Sequence, residues 1–405
     1  MIPIGFDLAR FIREKVTGRP QPLTAPDMAR YQKMLRERIE GKSALALGGA
    51  GTIGSHFIKA LLPFRPARLY VVDTNENALA ELVRDLRSAT NLPLPVELIT
   101  YPFDFGQPVF EKMLRTKGPF EIVANFAAHK HVRSEKDAFA IEAMLENNVL
   151  KTRNLLQQLS IRPPERFFCV STDKAAEPVN VMGASKRLME QILMAYAERI
   201  PVVTARFANV AFSNGSLPAG FLARLSKGQP LSAPSDVRRY FVSPEEAGQI
   251  CLLACMLGQS GDILFPKLDA LRDQHSFADM ARDLLSEHGL EAWECASEQE
   301  AKERAANPEP GRYPVFFFRS DTDGEKIEEQ FWAPAETPDW NRFHALGVVR
   351  YAPSPSIGEI ENCIAELQGL FRQDTPDKAK IIALLERHVR GFRHRSAGLN
   401  LDAKM

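Results

Sequence analysis

The chain has 405 residues, 45% hydrophobic and 25% charged, and its 51 basic and 51 acidic side chains cancel to zero net charge. That balance excludes the basic field of a nucleic-acid binder or of a protein held on an anionic membrane. No apolar run approaches the ~18 residues of a bilayer-spanning helix, and no signal-peptide pattern opens the chain.

The expected partners therefore include no nucleic acid and no membrane, and the expected location is cytoplasmic. Cys169, Cys251, Cys255, Cys295 and Cys363 are odd in number and not spaced as ligand pairs. They read as reduced thiols packed in cores, and no metal site is expected.

Residues 1–42 form a helical arm: an amphipathic stretch Phe6–Val16, a loop with Pro20, Pro22 and Pro26, and a helix Asp27–Glu40 with Asp27 as its cap. The arm packs either on the main domain or on a second copy of the chain, and a homo-oligomer of two or more copies is expected. Ser43–Leu47 reads as a strand running into Gly48-Gly49-Ala50-Gly51-Thr52-Ile53-Gly54 and a helix Ser55–Leu62. Such a turn lets backbone approach a pyrophosphate whose charge faces the helix start. A second strand, Leu69–Val72, ends in Asp73, 19 residues past Gly54. A carboxylate there meets adenosine ribose hydroxyls and repels a 2′-phosphate, so NAD is expected over NADP. Gly48, Gly51, Thr52, Ile53, Gly54 and Asp73 are the first candidate cofactor residues.

The alternation continues with helix Glu76–Ser88, strand Val96–Thr100, and Asp104-Phe105 placed to flank an adenine. Helix Pro108–Lys117 and strand Glu121–Phe126 follow. Ala127 and Ala128 are small enough to lie against a cofactor. His129, Lys130 and His131 either reach a substrate or simply open a helix. After helix Asp137–Leu159, strand Arg166–Val170 ends in the polar turn Ser171-Thr172-Asp173-Lys174. A helix from Val181 then carries Met182 and Lys186 on one face, four residues apart. This pattern predicts a Rossmann-type α/β fold, a right-handed, doubly wound parallel sheet over residues 43–209. A smaller mixed α/β substrate-binding lobe is expected over 210–340, with 241–265 packing back on the sheet, and a C-terminal extension over 341–405. Farther on come strand Pro201–Ala205, helices Leu217–Lys227, Pro244–Met256 and Phe277–Gly289, an exposed loop-rich stretch 291–312, and strand Val315–Arg319. The end holds a helix Asp377–Val389 and a basic stretch Arg387–Lys404, read as a solvated tail or a subunit contact.

The segments GGAGTIGS, NFAAHKHV, ENNVLKTRNLL, STDKAAEPVNVMGASKRLME, RFANVAFSNGS and RRYF resemble, in order and spacing, the extended short-chain dehydrogenase/reductases. Within them the chain is most similar to the nucleotide-sugar 4,6-dehydratases of bacterial polysaccharide biosynthesis that act on UDP-N-acetylglucosamine. The similarity runs from about Gly18 to Glu329. Most of the superfamily has a tyrosine where this chain has Met182, so it looks like a soluble relative of the usually membrane-anchored branch that shares the methionine.

The resemblance implies a UDP-sugar substrate and places Asn209 and Arg239 on its diphosphate. It places Ser216, in Asn214-Gly215-Ser216 where relatives have Arg-Gly-Ser, and Glu325, in Gly324-Glu325-Lys326, beside the same nucleotide. Dehydration needs a base at the carbon-4 hydroxyl, a base at carbon 5 and an acid at the carbon-6 hydroxyl. On this reading Lys174 takes the carbon-5 proton, Asp173 serves the departing hydroxyl, Lys186 holds the nicotinamide ribose and Thr172 bonds the sugar at carbon 4. Burial, Lys186 and the cofactor cation are expected to drive Lys174 toward its neutral form. Carbon-4 epimerisation, dehydration of another nucleotide sugar, and non-catalytic NAD binding are the alternatives.

Overall fold

Apolar runs punctuated by glycine and separated by amphipathic helices need both faces of each strand covered, and the chain folds accordingly. The computed structural model describes residues 6–320, 329–350 and 354–395. Six strands come first: β1 (Ser43–Leu47), β2 (Arg68–Val72), β3 (Glu97–Tyr101), β4 (Ile122–Asn125), β5 (Arg166–Val170) and β6 (Val202–Ala205). All pair in parallel. β1, β4 and β6 are buried at every position. Eight more strands follow: β7 (Asn209–Val210), β8 (Leu231–Pro234), β9 (Arg238–Val242), β10 (Asp262–Pro266), β11 (Gln274–Ser276), β12 (Glu291–Glu294), β13 (Arg312–Phe318) and β14 (Leu346–Arg350).

The main sheet has eight strands in the order β14-β10-β6-β5-β4-β1-β2-β3. Only β14 runs antiparallel, against β10. The strand order reverses between β1 and β4, the switch point at which sheets of this kind hold a ligand crevice at the carboxyl ends of their strands. Two three-stranded sheets, β11-β9-β7 and β12-β13-β8, build the smaller lobe beside that crevice. Helix Pro244–Leu257, started by a Ser243–Glu246 capping box, is buried along most of its length against the main sheet. Among the described residues no helix is long and apolar enough to cross a membrane.

Several expectations are corrected. The arm's helix is two, Ala25–Arg30 and Gln32–Ile39, and Asp27 caps neither. Asp27 is fully buried, and its carboxylate accepts the backbone N–H groups of His344 and Ala345 at 2.8 and 2.7 Å, pinning the approach to β14. The first segment of the arm puts Phe11, Ile12 and Val16 into the core of its own chain's smaller lobe, with Phe212, Phe221 and Met280.

The stretch 291–312 is not loop-rich, since it holds β12 and helix Glu298–Ala306. A helix not foreseen, Ile357–Phe371, joins Lys378–His388, and both pack on helix Val181–Ala195. The basic end is no solvated tail as far as it is described. Val389 and Phe392 are buried, and His394 lies 3.4 Å from Glu135. Residues 396–405 lie outside the described residues.

Candidate active site

The crevice is built from the strand exits. Gly48 leaves β1 with φ +65°, and a Cβ there would sit 2.5 Å from the Ala127 backbone nitrogen at the end of β4. A side chain at Gly48 would therefore push the two exits apart. Gly51 precedes helix Thr52–Leu61, which has no side-chain cap. A Cβ on Gly51 would meet only the Gly48 carbonyl, at 3.4 Å, so the described residues leave the space before this helix start open. An uncapped helix start with open space before it is a seat for a pyrophosphate. Gly54 closes the turn from below, where a Cβ would lie 2.5 Å from the Gly48 carbonyl oxygen.

Asp73 accepts from Ala50 N at 3.1 Å and Asn75 N at 3.0 Å, which fixes its carboxylate beside the glycine turn. The chain's residues thus fit a dinucleotide, with Thr52 and Ile53 opening the helix and Ala127 and Ala128 facing them across the crevice. The Thr52 hydroxyl accepts from Asn214 N at 3.0 Å and joins the turn to the smaller lobe.

One adenine expectation is corrected. The Phe105 ring is buried, edge-on to Phe110 at 6.3 Å, because the apolar ring is worth more in the core than in the crevice. Asp104 accepts from Gly106 N at 2.7 Å and pairs with Lys151, so this turn presents its carboxylate and backbone rather than a ring.

His129, Lys130 and His131 are exposed on the loop after β4. The His129 backbone is held at both ends by Asn148, which accepts from its N–H and donates to its C=O, each at 2.9 Å. Asn148 also donates to the Ser185 hydroxyl at 3.0 Å, tying the loop to helix Val181–Ala195. It lies in a π-turn, Glu146–Leu150, a distortion that often marks a functional position. Sequence reasoning assigned it nothing, although two asparagines inside an apolar helix were a signal. Lys130 Nζ donates to the Asn214 carbonyl at 2.7 Å, and the His131 ring lies against Gly215. Ser216 spends its hydroxyl as the cap of helix Leu217–Ser226.

At the β5 exit the Thr172 hydroxyl donates to Asp173 Oδ1 at 2.7 Å, and Lys174 Nζ lies 3.2 Å from both Asp173 oxygens. The Asp173 side chain is buried and the Lys174 side chain is 29% exposed. Helix Val181–Ala195, capped by Asn180, is buried at every residue from Val181 to Met194. It brings Lys186 Nζ to the Val170 carbonyl at 3.0 Å, and burial pushes that ammonium's pKa down. Met182 is buried one turn earlier, its N–H donating to Glu135 Oε1 at 3.0 Å.

Lys174 reverses its expectation. Burial does press its pKa down, but the charges of Asp173 and Glu329 outweigh burial and raise it.

Glu329 is a site residue that sequence reasoning missed. It is 9% exposed, accepts from Asn209 Nδ2 at 2.7 Å and Tyr240 N at 2.8 Å, and faces Arg239 Nε at 3.9 Å. Burial first, and the Asp173 charge second, push its pKa up to about 7. Asn209 and Arg239, the two expected diphosphate ligands, thus both meet this carboxylate.

The segment after Glu329 is anchored by a buried guanidinium. Arg206 donates to Glu190 at 2.9 and 2.8 Å, to Glu336 at 2.6 and 3.0 Å, and to the Phe331 carbonyl at 2.9 Å. Ser171 joins the network through Glu190 at 2.7 Å. Glu325 lies outside the described residues.

Comparison with known proteins agrees with this architecture. A family model described as "Polysaccharide biosynthesis protein" matches residues 44–306. The uncharacterized membrane protein MJ1061 of Methanocaldococcus jannaschii is 32% identical over 255 residues, 61% of this chain and 73% of that protein. The probable polysaccharide biosynthesis protein EpsC of Bacillus subtilis is 29% identical over 254 residues, 62% of this chain but only 41% of EpsC. A UDP-glucose 4-epimerase of Rickettsia rickettsii is 28% identical over 285 residues, 64% of this chain and 80% of the epimerase.

Among solved structures, Pen from Bacillus thuringiensis superposes with a TM-score of 0.61 at 17% identity, covering 78% of this chain and 89% of Pen. DesIV, a dTDP-glucose 4,6-dehydratase from Streptomyces venezuelae with NAD and TYD bound, gives 0.51 at 22% identity, covering 71% and 90%. At these identities the structural likeness shows a shared fold.

Proposed function

Because the chain belongs to the polysaccharide biosynthesis protein family, we propose that it catalyses NAD-dependent 4,6-dehydration of a nucleotide-activated sugar, UDP-N-acetylglucosamine, for surface polysaccharide or glycan synthesis. The observation that carries this reading is the hydrogen-bonded run Thr172–Asp173–Lys174 at the exit of β5, across the crevice from the glycine turn. NAD fits the turn, Asp73 and Lys186, and when bound it supplies reversible two-electron oxidation of the sugar.

The protein's own residues handle the protons. The Asp173 carboxylate accepts the carbon-4 hydroxyl proton, with the Thr172 hydroxyl, 2.7 Å from Asp173, holding that oxygen. Once Asp173 is neutral, the largest attraction retaining the Lys174 proton is gone and burial drives the amine to its free-base form. Its partial exposure gives that proton a route to water.

Neutral Lys174 then removes the carbon-5 hydrogen, acidified by the carbon-4 ketone. The C5–H electron pair forms the C5–C6 double bond, and the carbon-6 hydroxyl leaves as water with the proton Asp173 carried. Lys174 later returns its proton to carbon 5, which balances the hydride given back to carbon 6 from the cofactor. Met182 takes no part in proton transfer, so Asp173 serves both oxygens in turn.

Carbon-4 epimerisation is the second reading, favoured by the epimerase relative. It needs no acid at carbon 6 and leaves the substrate mass unchanged.

Mass spectrometry of purified protein incubated with NAD and UDP-N-acetylglucosamine should show loss of one water. Asp173→Asn and Lys174→Ala should each abolish that product with NAD still bound. An isobaric product, or turnover in either variant, refutes the proposal.

A further inference from the structure

Asn209, Arg239 and the Tyr240 backbone N–H, on the paired strands β7 and β9, converge on the Glu329 carboxylate. The same three donors, two cationic or amide side chains and one peptide N–H, are the chemistry that receives a phosphate oxygen. A diphosphate brought to Asn209 and Arg239 therefore meets a carboxylate already sharing its ligands. Two like charges on one donor set in a buried pocket cannot both persist, and one must be neutralised by a proton.

We propose that Glu329 positions the donors for the substrate's diphosphate and takes up a proton when that diphosphate binds. The inference deepens the reading of a UDP-sugar substrate and rests on it.

Among the described residues, four groups from the β5 exit and from β9 act on Glu329. Asp173 repels its charge from the β5 exit, Lys174 and Arg239 attract it, and the Tyr240 N–H stabilises it. Burial and Asp173 prevail, so the free protein loses this proton at about pH 7. An anion that binds the protonated form better keeps full affinity below that pH. Above it, the affinity declines by up to about tenfold per pH unit. Protonated glutamic acid presents one acceptor and one donor, as glutamine does, so Glu329→Gln imitates the binding-competent form at every pH.

The test is calorimetric titration of the NAD-loaded protein with UDP-N-acetylglucosamine from about pH 6 to about pH 8.5, a range within which its diphosphate diester keeps one charge state. Each pH is run in two buffers of different ionisation enthalpy. Wild-type protein should take up a proton on binding above pH 7 and lose affinity steadily. Glu329→Gln should bind with a flat pH profile and without that uptake.

Equal pH dependence in both proteins, or wild-type binding with no proton uptake, overturns the role of Glu329 and leaves the substrate class standing. Absence of wild-type binding at every pH refutes the substrate class and this inference with it. The wild-type proton count alone decides the matter if the variant folds poorly.

Discussion

Replacing Arg206 with methionine tests whether the buried ion network holds the crevice together. The guanidinium is fully buried and makes all its bonds to Glu190, Glu336 and the Phe331 carbonyl. Removing one partner of such a network leaves uncompensated buried charge, which costs about 3–5 kcal/mol. Arg187 stays within 3.3 Å of Glu190 and 2.8 Å of Glu336, so the loss belongs at the lower end, about 3 kcal/mol.

The depressed pKa of Glu336, to which Arg187 and the Ala333 N–H also contribute, sets a bound of similar size on the charge that Arg206 compensates there. The Arg206 and Arg187 charges hold the Glu336 carboxyl at about 2, against an ordinary value of 4.5, although burial opposes them. That gap, at about 1.4 kcal/mol per unit, corresponds to about 3 kcal/mol. Because the folded pKa is depressed, this stability is complete above pH 4.5 and disappears as pH falls toward 2.

Urea unfolding at neutral pH should show Arg206→Met less stable by about 3 kcal/mol, with an unchanged dependence on urea concentration. Below pH 4.5 the wild type should approach the variant. A difference under about 1 kcal/mol at neutral pH, or one that does not shrink in acid, refutes the reasoning.

Gly48→Ala should destabilise the fold and abolish NAD binding, since the alanine would have to hold φ near +65° with its Cβ 2.5 Å from the Ala127 nitrogen. Thermal unfolding with and without NAD reads both effects, and a wild-type response to NAD would contradict the geometry. Asn148→Leu leaves both backbone groups of His129 without their partner, at about 1–3 kcal/mol for each group that stays buried. Turnover should fall more than NAD affinity if, as proposed, the loop that Asn148 holds reaches the substrate. Unaltered turnover in a folded Asn148→Leu protein would show that Asn148 serves packing alone.

The order of elements was legible because a parallel sheet leaves a strong local trace. β1, β4 and β6 are buried on both faces, so they appear as largely apolar runs with one polar residue each, and Gly48 and Gly51 mark the turn at the switch point. Local rules failed where a distant partner decided the outcome. Asp27 has the sequence setting of a helix cap, but two peptide N–H groups more than three hundred residues away claim its carboxylate. Helix Ile357–Phe371 carried two local signs, the Ser356–Glu359 capping box and Ile357, Ile360, Ile364 and Leu367 at helical spacing, so it was legible in the sequence and went unread. β12 and the helix after it are half-exposed and rich in charge, so their periodicity is weak. Glu329 and Glu336 look like ordinary surface acids by composition. Only folding brings them to Asn209 and Arg206, each more than a hundred residues earlier.

The charge on Lys174 shows how adjacent residues set the order of chemical events. Burial by itself would favour a free amine, ready to abstract a proton before any substrate arrived. Asp173 and Glu329 oppose this by holding the ammonium form, and on the proposed mechanism each would lose its hold through a different binding or chemical event. In the proposed mechanism, arrival of a diphosphate would neutralise Glu329, and transfer of the carbon-4 hydroxyl proton would neutralise Asp173. On that proposal Lys174 would become a base only after both events, when the ketone that acidifies carbon 5 is forming. The two carboxylates would thereby make the amine's reactivity conditional on a bound and oxidised sugar, a condition that a lysine tuned by burial alone would not impose.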